Sequence, residues 1–189
     1  MKRKKAREIL VDSFLELAET KSVEKITVND IVNNCDYSPS TFYRYYRDKY
    51  DLIARYYAEQ MGVIMARIDI DGYSWADACQ DAARYYEAQK NFLANLLLNT
   101  NGLDSFLDSM TEINCTKSRD YLLRKTKKEK LDKKTELLIR LYCLGASKLV
   151  SEWILGKLTA TASEIAEILQ EGFVAEILKI EEIGKNLYQ

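Results

Sequence analysis

The chain contains no histidine, and that absence removes a large part of enzyme chemistry. A serine or cysteine nucleophile would lack its usual base. No zinc site can be completed around Cys35, Cys79, Cys115 and Cys143, which lie far apart without metal-ligand spacing. They are expected to be reduced, small and mostly buried residues of a cytoplasmic protein. One proline and seven glycines in 189 residues exclude a many-turned all-β fold and leave long helices. No apolar run approaches the roughly 18 residues a membrane helix needs. "FLANLLL" is broken by Asn95. The opening basic segment is interrupted by Glu8, Asp12, Glu16 and Glu19, which is not a signal-peptide pattern. Phosphate loops and nucleotide-binding glycine patterns are also missing. The expectation is a protein with no metal, no cofactor, no membrane and no enzymatic activity.

What is present is helical and unevenly charged. Hydrophobic residues make up 47% of the chain, enough for a sizeable core, and the net charge is −1. Lys2, Arg3, Lys4, Lys5 and Arg7 form a basic arm. Lys117 to Lys134 holds nine basic residues against three acidic ones. That stretch reads as solvated, with an anionic ligand or DNA as the alternative.

Apolar spacing predicts a first helix from about Lys4 to Thr20. Thr27, with Asp30 three residues on, caps a short second helix from Val28 to Asn34. Ser38 caps a third helix with Pro39 in its first turn, running to about Tyr45. Asp48 caps a fourth, which continues to about Ile68. Further helices are expected over Trp75–Gln89, Phe92–Asn99, Leu103–Lys125 and Lys133–Lys157, and a ninth from a Ser163 cap to about Ile183.

Two short helices joined by a tight turn after a longer one make a helix-turn-helix, whose second helix lies in the DNA major groove. In "SPSTFYRYYRDKYDL", Phe42 and Tyr46, four apart, point inward. Ser40, Thr41, Tyr43, Arg44 and Tyr45 are left outside for base edges and phosphates.

"ITVNDIVNNCDYSPSTFYRYYRDKYDL" closely resembles the DNA-binding segment of the tetracycline-repressor (TetR/AcrR) family, over roughly the first 55 residues. The matching positions are Thr27, Ser38, Thr41, Phe42, Tyr43, Tyr46 and Lys49. The resemblance implies an all-α, nine-helix architecture, with a DNA-binding domain over 1–48 and a ligand-binding and dimerisation domain over 49–189. It implies a homodimer on a near-palindromic double-stranded DNA operator, controlled by a small-molecule effector; repression is the expected direction, and activation stays open. It further implies phosphate contacts from Thr27 and Lys49, a Ser38 start to the recognition helix, and groove contacts from Ser40, Thr41, Tyr43, Arg44 and Tyr45. Pro39 stands where a basic residue is common and Ser40 where glycine is common. The second half, "LVSEWILGKLTATASEIAEIL", resembles regulators of the dihydroxyacetone-kinase type. The alternative is a co-regulator of the same fold that acts through a protein partner.

The last two helices carry an apolar stripe of Leu141, Gly145, Leu149, Trp153, Ile165, Leu169, Gly172 and Phe173, the expected dimer interface. Helices four to seven carry many aromatics and methionines, Met65 and Trp75 among them. Tyr57, Met61, Tyr85, Tyr86, Phe106 and Tyr121 are the candidates to line a ligand pocket.

Overall fold

The computed structural model describes residues 4–102 and 105–173. Among these residues there are nine α-helices and no strand: α1 Ala6–Thr20, α2 Val28–Asn33, α3 Pro39–Tyr45, α4 Lys49–Ala66, α5 Trp75–Ala88, α6 Lys90–Leu98, α7 Phe106–Thr126, α8 Lys133–Ile154 and α9 Ala162–Phe173. A 3₁₀ turn, Val23–Lys25, links α1 to α2.

The helix starts follow from local chemistry. Thr27 Oγ1 accepts the Asp30 amide and donates to its carboxylate, and the Thr27 amide donates to the same carboxylate. Ser38 Oγ accepts the Thr41 amide, and Asp48 Oδ1 accepts the Asp51 amide. The ninth helix departs from expectation. Its cap is Thr161, which exchanges hydrogen bonds with Glu164, because that pair has the three-residue spacing a capping box needs. The expected end of this helix near Ile183 lies outside the described residues. Helix α8 stops at Ile154, short of Lys157, because Gly156 turns to φ 71° just beyond it.

One apolar core runs from the first three helices through α4 into the rest of the chain, around Leu10, Phe14, Ile31, Phe42, Leu52 and Tyr57. A second cluster gathers Ile68, Ala78, Tyr121, Leu122, Ile139 and Phe173. Helix α9 packs mainly on α5, where Phe173 stacks on Trp75 at 4.0 Å between ring centroids. Trp75 also stacks on Tyr121 at 5.0 Å.

Two side chains bind the 3₁₀ turn to later helices. The Lys49 ammonium, at the start of α4, donates to the carbonyls of Val23, Glu24 and Ile26 at 2.8, 2.9 and 2.7 Å. Asn95 of α6 accepts the Val23 amide and donates to the carbonyls of Ala18 and Lys21.

The expected dimer stripe divides. Trp153, Ile165 and Phe173 are interior residues of this chain. Trp153 sends its indole N–H to the Ala160 carbonyl at 2.7 Å, and Phe173 is enclosed by Trp75, Tyr121 and Tyr142. Leu141, Gly145, Leu149, Leu169 and Gly172 border an open apolar groove of about 240 Å³ between α8 and α9. Leu169 is nonetheless mostly buried, and Gly172 packs on Tyr142 of the same chain. The groove is flanked by exposed Leu137, Leu144 and Ile168.

Candidate functional site

Helices α2 and α3 form a helix-turn-helix against α1. Ser13 of α1 donates to the Ile31 carbonyl at 2.7 Å, and Asn34 donates to Ser13 and Glu16. The intervening turn carries Asp36 at φ 56°, a conformation aspartate tolerates better than most residues, and the Tyr37 amide closes on the Val32 carbonyl. Phe42 and Tyr46 anchor α3, being fully buried and 2% exposed. Their rings lie 5.6 Å apart.

Burial on one side leaves a defined outer face. Ser40, Tyr43 and Arg44 are exposed, Tyr43 at 59%. Thr41 is half-buried, and Tyr45 rests partly on the core. The Tyr43 ring is held edge-on to Phe42 at 5.6 Å, so it projects from a fixed base. Arg47, outside the expected contact set, extends beside this face and pairs with Asp48.

Three expected contacts have local occupations. The Thr27 hydroxyl is engaged by Asp30, whose carboxyl is drawn down to about 2 by the Thr27 amide, the Thr27 hydroxyl and then Lys21. The Ser38 hydroxyl caps α3 and meets the hydroxyls of Ser40 and Thr41 at 2.8 and 3.1 Å. Lys49 directs its ammonium at three carbonyls. An ammonium has three protons, so this geometry ties α4 to the 3₁₀ turn rather than presenting a charge outward.

A cavity of about 80 Å³ opens between α4, α5, α7, α8 and α9. Of the six expected pocket residues it is lined by Met61 and Tyr86. The other four support the wall from behind or pack elsewhere. Tyr57 donates to Asn114 Oδ1 at 3.0 Å and shares a 2.8 Å hydrogen bond with the Tyr86 hydroxyl. Phe106 meets Tyr57 edge-on, Tyr121 stacks on Trp75, and Tyr85 packs beside Tyr86. Burial raises the Tyr86 hydroxyl to about 12, so it is neutral near pH 7. The polar residues missed by sequence reasoning are Asn114, Ser118 and Tyr142, and Lys117, on α7 as expected, borders the cavity instead of being only part of a solvated stretch. Their signal was the three-to-four-residue spacing of Met110, Asn114, Lys117, Ser118 and Tyr121, one stripe that mixes polar with apolar residues.

Residues 10–56 match the family described as bacterial regulatory proteins, tetR family, and residues 73–173 match one described as a transcriptional regulator C-terminal region. The second match spans more than half of the chain, which therefore belongs to the TetR family of transcriptional regulators. These regulators are DNA-binding transcription factors and not enzymes. Solved structures agree in fold. The dihydroxyacetone kinase operon activator DhaS superposes with a TM-score of 0.64 at 14% identity, covering 90% of this chain and 95% of that one. A TetR regulator from Rhodococcus sp. RHA1 also gives 0.64 at 14% identity, covering 89% and 95%. A regulator described as putative TetR-family from Syntrophomonas wolfei str. Goettingen gives 0.57 at 18% identity, covering 90% and 94%. No curated protein matches the chain.

Proposed function

We propose that this protein is an effector-controlled repressor that binds a palindromic operator as a homodimer. Residues 1–48 read DNA, and residues 49–189 dimerise and bind effector. The observation that carries this reading is the outer face of α3, where Ser40, Tyr43 and Arg44 stand exposed over a buried Phe42–Tyr46 anchor. Arg44 gives the face a charge for phosphate or guanine, and Ser40 and Tyr43 add hydrogen-bonding groups. Thr27, Ser38, Thr41 and Tyr45 fix the register of the reading helix. Lys49 leaves the set of phosphate contacts and becomes a tie within the protein.

The groove along Leu141, Gly145 and Leu149 supports a two-fold contact between α8 and α9 of two copies. A leucine-rich open face costs free energy in water and gains it back when covered. The cavity touches α4, whose first turn holds the 3₁₀ turn, so an effector that favours one α4 position changes the spacing of the two reading helices.

The test is fluorescence anisotropy with DNA from upstream of the protein's own gene, across a salt series. Tight binding at two chains per site that weakens with salt and is lost in Tyr43→Ala, Arg44→Ala supports the reading. Equal binding by the double variant sinks the assignment of α3. A promoter fusion that rises when the gene is deleted supports repression, and one that falls assigns activation.

A further inference from the structure

The cavity lining is chemically lopsided. Its walls are mostly apolar and include Met61, Met65 and Met110, three of the chain's four methionines. Among the described residues, no aspartate or glutamate lines it. The lining hydroxyls of Tyr86 and Tyr142 are already engaged, Tyr86 with Tyr57 and Tyr142 with the Leu169 carbonyl at 2.8 Å. Two donors remain. The Trp75 indole N–H is buried with no acceptor among the described residues. Lys117 is half-buried, and its ammonium has no ion pair or hydrogen bond among the described residues. It lies across Gly62 of α4, where an added Cβ would come within 3.4 Å of Nζ. A cation beside an apolar space is stabilised by an anion brought into that space.

We infer that this cavity is a receptor site for a small organic anion, a carboxylate on an apolar body, with the carboxylate against Lys117. The inference rests on the effector-controlled reading above and adds the charge of the effector. The cavity's volume of about 80 Å³ is roughly half that of an engineered cavity of about 150 Å³ that takes benzene. The occupant therefore displaces the flexible thioethers as it enters. Because Lys117 is on α7 and lies on α4, its pairing with the ligand acts on the helix that carries the reading domain.

The experiment compares three probes with one tail: hexanoate, hexanol and hexylammonium. Binding to the full-length protein is followed by tryptophan fluorescence and by ligand-observed NMR. The expected result is hexanoate tighter than hexanol by about tenfold or more, and hexylammonium weakest. In Lys117→Met the hexanoate advantage disappears while hexanol binds as before. Hexanol equal to hexanoate in the unmodified protein overturns the anion assignment and leaves the effector cavity standing. A hexanoate advantage that survives Lys117→Met overturns the role of Lys117. Binding of none of the three at millimolar concentration overturns the site itself. Operator anisotropy on the same sample reports separately on the DNA-binding reading.

Discussion

The Lys49 ammonium lies 2.7 Å from the main-chain oxygen of Ile26, twenty-three residues earlier, and also donates to the Val23 and Glu24 carbonyls. Charge-assisted hydrogen bonds of this kind contribute about 1.5–3 kcal/mol. Lys49→Met is expected to lower stability by roughly 2 kcal/mol, read as a reduced urea midpoint. Lys49→Arg does not restore it, because a planar guanidinium cannot aim three donors at one cluster of carbonyls. Operator affinity falls in the methionine variant, yet the slope of log affinity against log salt stays unchanged. A slope lower by about one would return Lys49 to the phosphate contacts.

On the outer face of α3 the order reverses. Tyr43→Ala and Arg44→Ala change stability by less than about 0.5 kcal/mol, because both side chains are exposed. Each lowers operator affinity by about tenfold. Arg44→Ala also reduces the salt slope by about one, whereas Tyr43→Ala leaves it alone. Circular-dichroism melts and anisotropy titrations on the same preparations separate the two effects.

Helix α8 offers a contrast between its outer and inner sides. Leu141 is 65% exposed and Trp153 is 3% exposed. Leu141→Glu is expected to yield a folded monomer by light scattering, with an unchanged melting curve at low concentration. Phe173→Ala, which empties the stack on Trp75, costs about 3–5 kcal/mol of stability. A dimeric Leu141→Glu variant would remove the groove from the interface.

Acid sensitivity provides a local test of the α2 cap. The Asp30 carboxyl is drawn from 3.8 to about 2 in the folded protein, first by the Thr27 amide. A depressed folded value means the contribution is complete above the unfolded value and fades as pH falls toward 2. The stability gap between the unmodified protein and Asp30→Asn should therefore be constant near neutrality and narrow below about pH 4. A gap that does not change with pH assigns the loss to the hydrogen-bond geometry alone.

The helix starts were legible because a cap is a short-range event. Thr27, Ser38 and Asp48 each bond an amide three residues ahead, and sequence spacing carries that information. The α3 face was legible for a similar reason, since Phe42 and Tyr46 declare the buried side. The pocket was harder to read. An inward tyrosine such as Tyr57 and a lining one such as Tyr86 have the same local pattern, and only the placement of α7 and α8 separates them. Part of the α8–α9 stripe was misread likewise, because Phe173 and Trp153 are buried within this chain against α5 and the following loop, while Leu141, Gly145 and Leu149 border the open groove. Asn95 reads as an interruption of an apolar run, yet it makes three long-range hydrogen bonds that no periodicity encodes.

Those three bonds have a genetic consequence. The turn at Val23–Lys25 is gripped by Lys49 from one side and by Asn95 from the other, two polar fastenings of unequal kind that add to the apolar core shared by the reading head and the remainder of the chain. Lys49 is itself the first residue of α4, and cutting it disturbs reading as well as signalling. Cutting Asn95 leaves the α3 face whole. In a screen for alleles that stay shut whatever the cell supplies, position 95 is where such a deaf but literate regulator should arise.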